Sequence, residues 1–457
     1  MTRIHIFSWD LGSMRKKNVS QAEQAAGEGR EQKARERDIR WEKLDNTAHL
    51  FPVIANEQMS NVYRVSVTLN ELIDPALLQK ALDIVLPKFD GFNLRQRSGV
   101  FWYYFEENNK EAPRVREEDR FPCRMIRTNR NNSYLFRVTY YRYRINVEIF
   151  HALTDGMGAL NFLRELTYQY LRLAHPQLAQ GAGDSLITGT TLSREDSFLK
   201  NFKRISPKMY ATKRAFLIKG ERLRAGEFGV MHGYLNIPQL KAVCKRYGAT
   251  INEYLVSAYI FSIYTEYMHG LPSKTPIRVA VPVNLRPYFD SITTKNFFAM
   301  ISAEFLAQKE NYAFEEVVQI VRESLRSQLT AEHLEQVFSY NVAQQKNLFL
   351  RLLPLPLKHL GMRFVYTRSA LANTSTVSNV GSIGVEEAYR PYIDRFHVFM
   401  AISKGQHIKG TICSYGDTLV FTFSFDLKDA SMQRAFFRRL AADGLDVEVE
   451  SNGVHYG

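Results

Sequence analysis

The sequence predicts an α/β protein of two lobes, each an α+β assembly with a sheet interrupted by helices. Three observations carry this. The chain has 457 residues, enough for two domains, and its 45% hydrophobic and 23% charged residues are globular in balance. Apolar residues recur with period two in some stretches and with helical spacing in others, and the two kinds are interleaved along the chain. A passage rich in Gly, Ala, Ser and Thr near residues 173–192 has no period and separates the halves.

Residues 1–40 are polar, charged and free of periodic apolar positions, and are expected to form a disordered or loosely helical tail. An N-terminal lobe is expected over 41–180, beginning near Trp41. Val62–Leu69 alternates apolar and polar residues, the signature of a half-buried strand. A helix follows, with Asp74 as its N-cap, Pro75 as its first residue, and Leu77, Leu78, Ala81, Leu82 and Val85 on one face. Further strands are expected at Val100–Glu106 and Tyr134–Tyr141. Along Tyr143–His151, residues Tyr143, Ile145, Val147 and Ile149 share one face and Arg144, Asn146 and Glu148 the other. Parity therefore puts His151 on the apolar face, at the strand's C-terminal end. A turn containing Gly156 and Gly158 leads into a helix that carries Met157, Leu160, Leu163, Leu166 and Tyr170.

Residues 181–205 read as a crossover linker and 206–457 as a C-terminal lobe. That lobe opens with a helix near 237–247, then one started by a capping box of Thr250 and Glu253. Ile277–Val283 and Phe297–Phe305 read as strands, and 312–346 as a long helical region. Thr411–Cys413 and Leu419–Phe425 flank the turn signal SYGDT.

Composition excludes several classes of function. A net charge of +13 suits an anionic partner. Cys123, Cys244 and Cys413 are odd in number and far apart, without a CxxC pair. That argues against a zinc site or a disulfide framework, and for a reducing cytoplasm. No secretory signal and no apolar run of about 18 residues is present, so a soluble protein without a transmembrane segment is expected. The absence of a phosphate-binding G-x-x-x-x-G-K-[ST] loop leaves nucleotide hydrolysis without support. RVTYYRYR, at 137–144, alternates like a strand with one wet face, and no nucleic acid partner is expected. Gly183-Asp184-Ser185-Leu186 spells the GDSL of certain esterases, with Asp394 and His397 as their DxxH. It sits mid-chain in the crossover, where a nucleophile lacks rigid support.

The motif that carries chemistry is His151-Ala152-Leu153-Thr154-Asp155-Gly156, joining an apolar strand to an amphipathic helix. Acyl transfer from a thioester needs a base for the attacking hydroxyl or amine, and an imidazole titrating near neutrality can take that proton and return it to the leaving thiolate. Asp155, four residues on and beyond a turn, is better placed to hold the turn than to share the proton, and a buried carboxylate there needs a cationic partner.

HALTDG matches the HxxxDG signature, and the sequence here resembles the chloramphenicol acetyltransferase-like superfamily, which includes condensation domains and alcohol acetyltransferases. It is most similar to the bacterial alcohol-acetyltransferase-like members, through LDNTAHLFP, HALTDG, VPVNLRPYF, TKNFF and SNVG in that order over roughly 41–445. The resemblance implies two chloramphenicol acetyltransferase-like lobes with an active-site tunnel between them. It implies His151 as base, Asp155 and Gly156 as the structural part of the motif, and Arg286 as the partner of Asp155. Ser378 or Asn379, within SNVG, is the expected oxyanion donor, with Asn284 a further polar candidate. Acyl-CoA is the expected co-substrate and a small alcohol or amine the acceptor, with no permanently bound cofactor and no metal.

Phe150 stands where condensation domains commonly carry a second histidine, DFGWG is absent, and no carrier or adenylation domain adjoins. These departures favour a free-standing enzyme. Two alternatives remain: an acyl group delivered on the phosphopantetheine of an acyl carrier protein, and a non-catalytic binding protein that keeps the fold. The basic stretch at 200–224 suits the phosphates of coenzyme A or an acidic carrier, and equally a solvated face.

Overall fold

A computed structural model describes residues 41–45, 48–89, 91–179, 196–203, 213–346 and 352–454. The chain divides into two units, 1–42 and 43–457, and of the first only Trp41 and Glu42 are described. The tail at 1–40, the GDSL stretch and much of the crossover at 181–205 lie outside the described residues.

The second unit is built on two large sheets. The first has five strands in the order Ile393–Met400, Val62–Leu69, Arg144–Phe150, Phe136–Tyr141 and Arg116–Glu117. Val62–Leu69 and Arg144–Phe150 run antiparallel with Val65 opposite Val147. Their apolar positions, Val65, Val67, Ile145, Val147 and Ile149, are buried with Leu78, Leu82, Phe162 and Leu163 of the helices Pro75–Val85 and Gly156–Ala174. Asp74 caps the first of these helices by accepting from Ala76 N and Leu77 N.

The second sheet has seven strands, in the order Phe298–Phe305, Ile277–Asn284, Ser375–Ser382, Ile408–Tyr415, Thr418–Phe425, Gly229–Asn236 and Val447–Ser451. The helices Ile251–Tyr267, Phe314–Arg326 and Ser431–Ala442 join its strands in one apolar core. Thr250 and Glu253 form the capping box of Ile251–Tyr267, each side chain bonding the other's backbone N–H.

Several elements differ from the sequence reading. The strand placed at Val100–Glu106 is a hairpin: Leu94–Ser98 pairs with Tyr103–Glu107, and Gly99 N donates to Trp102 O across the turn. Val100 is at the tip of that turn and 72% exposed. The helical region 312–346 is two helices, Phe314–Arg326 and Ala331–Lys346, because the Thr330 hydroxyl accepts from His333 N and starts a new one. Ile393–Met400, from late in the chain, adds to the first sheet as an edge strand beside Val62–Leu69. The hairpin around SYGDT runs from Ile408–Tyr415 to Thr418–Phe425, turning at Gly416 with φ +55.

Candidate active site

His151 stands one residue beyond the strand Arg144–Phe150, and its N–H donates to Asn61 O at 2.9 Å. The ring is stacked on Phe51 with centroids 4.5 Å apart, and Tyr63 leans on it at 4.9 Å. Nδ1 is buried and meets no hydrogen-bond partner among the described residues. Burial lowers the imidazole pKa from its ordinary value, against smaller upward pulls from its own backbone carbonyl, the Asp155 charge and Asn296. The neutral imidazole is therefore the resting form near neutral pH.

The turn after His151 is held from both sides. Asp155 is the N-cap of Gly156–Ala174, and one carboxylate oxygen accepts from Met157 N and Gly158 N, each at 3.2 Å. The other oxygen accepts from Phe297 N at 3.2 Å and lies 2.8 Å from Arg286 Nη2. Tyr63 donates to the carbonyls of Thr154 and Asp155, and the Thr154 hydroxyl donates to Thr294 O at 2.7 Å. Gly156 approaches Val380 so closely that a Cβ would lie 3.1 Å from its methyl carbon. Gly158 is more constrained: a Cβ there would fall 2.0 Å from the Thr154 hydroxyl and 2.9 Å from Thr294 O.

Arg286 reaches further than the carboxylate. Nε donates to Thr293 O and Nη2 to Lys295 O, both at 2.8 Å, so one guanidinium shapes the loop before Phe298–Phe305. Asn284 lies behind it, its amide oxygen accepting from Arg286 N and Nη1. Ser378 and Asn379 are on the strand Ser375–Ser382, where the parallel register sets Ser378 beside Thr411. Ser378 is half-buried, whereas Asn379 is exposed and its amide oxygen accepts from Gly381 N at 2.9 Å. His397, of the DxxH pair, is fully buried with Nε2 3.0 Å from the Tyr234 hydroxyl.

Two site residues escaped individual notice in the sequence. Asn296 Nδ2 donates to Asp45 at 2.9 Å and lies 3.4 Å from His151 O. Asp45 also accepts from Ala48 N, and burial pushes its carboxyl up to about 6. Asp45 belongs to LDNTAHLFP and Asn296 to TKNFF, two stretches that contributed to the resemblance. The signal was there as segments and not as residues.

No family model and no curated protein matches the chain. Solved structures do. The F. sporotrichioides protein TRI101 complexed with coenzyme A and T-2 is 11% identical, with a TM-score of 0.58 over 89% of this chain and 99% of that one. The condensation domain of the Monacolin K polyketide synthase MokA is 9% identical, with a TM-score of 0.56 over 89% and 97%. The wax ester synthase/diacylglycerol acyltransferase of Marinobacter aquaeolei VT8 is 15% identical, with a TM-score of 0.53 over 88% and 98%. This is the fold of condensation domains and coenzyme A-dependent acyltransferases. Within the condensation-type fold, the turn just described joins the two large sheets. Among the described residues no helix is long and apolar enough to cross a membrane.

Proposed function

We propose that the protein is an acyltransferase, similar to the alcohol acetyltransferases, that moves an acyl group from acyl-CoA to a hydroxyl or amine of a small acceptor. His151 is the general base. The observation that carries this is a half-buried imidazole, kept neutral by its surroundings, at the end of a turn clamped between the halves by Asp155 and Arg286. His151 takes the acceptor's proton as its oxygen or nitrogen attacks the thioester carbonyl. The tetrahedral oxyanion is met by the Ser378 hydroxyl, with Asn379 and Asn284 as the less favourably placed donors. Collapse breaks the C–S bond, and the imidazolium returns the proton to the thiolate, leaving ester or amide and free coenzyme A. Asp155 touches no reacting atom in this scheme; it positions the turn, and Gly156 admits Val380 beside it.

A neighbour in the fold was solved with coenzyme A, and another is a condensation domain. The second keeps a carrier-protein donor as the alternative reading. The three cysteines are free and buried, which suits a reducing cytoplasm. The test is thiol release from a panel of acyl-CoA donors with mixed alcohols and amines, wild type beside His151→Ala. Release that needs an acceptor and falls by about 10² or more in the variant supports the scheme. Release equal in both proteins removes His151 from it. Release only from loaded carrier protein moves the donor, and none from either source leaves a non-catalytic binding protein.

A further inference from the structure

Lys409 is among the buried cations of the described residues that the proposed reaction leaves unused. Lys409, on the strand Ile408–Tyr415, is 5% exposed. Side chains alternate along this strand. Ile408 and Ile412 belong to the apolar core of the seven-stranded sheet. Cys413 joins the core of the other sheet, and its thiol donates to Phe396 O. Lys409 and Thr411 have the parity of Cys413 and so face the first sheet, on the side where Ser378 lies beside Thr411.

Lys409 Nζ donates to the Ser403 hydroxyl at 2.5 Å, and no carboxylate pairs with it among the described residues. Burial pushes the amine down to about 7, and the Cys123 thiol is the other group that acts on it. Its charge in turn reaches the His151 imidazole. Cys123 packs with Val230 and Phe399, which line a cavity of about 590 Å³. The ammonium is thus within electrostatic reach of both His151 and a thiol packed behind this cavity's wall. Beside it, the Thr411 hydroxyl is buried without a partner among the described residues.

A buried charge is ordinarily paired, and an unpaired one is a strong liability. Such a group beside a substrate site is accounted for when the substrate brings the counter-charge. We infer that Lys409 receives a carboxylate carried by one of the two substrates, with the Ser403 and Thr411 hydroxyls as its neighbours. A single ammonium matches a singly charged carboxylate. A phosphate dianion is ordinarily met by a guanidinium fork or several cations, and among the described residues no second cation acts on Lys409. The inference rests on the acyl-transfer reading for the word substrate, and is tested by binding, without turnover.

Calorimetry would compare straight-chain hydroxy acids, from hydroxybutyrate to hydroxydecanoate, each with the diol of equal length. A second arm would compare succinyl-CoA with butyryl-CoA. Wild type and Lys409→Met would be used, the methionine keeping the stem and removing the charge, with folding checked by circular dichroism. The expected result is a preference of about tenfold or more for the carboxylated member of one arm, lost in Lys409→Met while the neutral member binds as before. The arm that shows it tells whether acceptor or donor carries the acid. No preference in either arm, or one that survives in Lys409→Met, overturns the inference. Failure of thiol release with every donor would count against the acyl-transfer reading alone.

Discussion

The Asp155–Arg286 pair makes the sharpest prediction, because its two side chains are 8% and 14% exposed and come from positions 131 residues apart, in different halves. Arg286→Met removes the guanidinium and keeps most of its apolar stem. Breaking a buried pair costs about 3–5 kcal/mol when the remaining charge is uncompensated. Asp155 keeps three backbone donors, Met157 N, Gly158 N and Phe297 N, which moderates that cost. The variant also loses the bonds to Thr293 O and Lys295 O, each worth about 1 kcal/mol. The expected loss is therefore about 4 kcal/mol. Asp155→Asn keeps an oxygen for the cap and puts an NH2 against Phe297 N or Arg286, for a loss of about 2 kcal/mol. The double variant should lose less than the sum, with a coupling of about 2 kcal/mol, because each single change strands the other partner. Urea unfolding followed by circular dichroism measures all four proteins, with m-values compared to check that the unfolded state is unchanged. Thiol release should fall in each variant, since the turn carries His151, the base of the proposed reaction. A coupling under about 0.5 kcal/mol, or Arg286→Met as stable as wild type, would refute the clamp.

Two further outcomes follow from the same region and from the buried histidines. Gly158→Ala should lose about 2 kcal/mol or more, and Thr154→Ala should rescue it only in part, because Thr294 O at 2.9 Å remains in the way of the new methyl; a wild-type melting temperature for Gly158→Ala would contradict the packing. Stability should fall as pH drops below about 6.5, because burial lowers the pKa of His49 to about 4, of His151, and of His232 and His397 well below the ordinary value. The unfolded chain then binds protons that the folded one refuses, while Asp45, raised to about 6, offsets one of them between its unfolded value and 6. His49, His232 and His397, less Asp45, leave a net of about two protons and a slope of about 3 kcal/mol per pH unit near pH 5, to which His151 adds in the same direction, and a urea midpoint that stays flat from pH 7 to 5 would refute it.

The strand that ends at His151 was legible because its alternation is strict, and the helix after it because Asp155 and the apolar spacing mark its start. Strand order was not. Nothing in Ile393–Met400 says that it will pair with Val62–Leu69, more than three hundred residues earlier, since periodicity describes faces and not neighbours. Leu94–Ser98, LRQRS, was missed because a hairpin arm with one apolar residue has no pattern to show. Lys409 would be read as the wet side of a strand; the covering sheet is what makes it buried. Asp45 and Asn296 are 251 positions apart, and only the fold brings their side chains together at His151.

The polar groups of the histidine turn are satisfied largely by the other half of the chain. Thr154 finds Thr294 O, Asp155 finds Phe297 N and Arg286, and the His151 carbonyl faces Asn296. The five-stranded sheet can therefore place His151 near its position, but without residues 284–297 the turn would leave a carboxylate and a hydroxyl without these partners in a largely apolar setting. A buried ion pair adds little net stability over an apolar contact, yet it penalises every arrangement in which one member is stranded. The same residues thus make the histidine's position conditional on the correct docking of the two sheets. A site at the junction of two sheets gains its geometry from this condition, because the turn that holds His151 packs, through Gly156, directly against Val380 of the strand that carries Ser378.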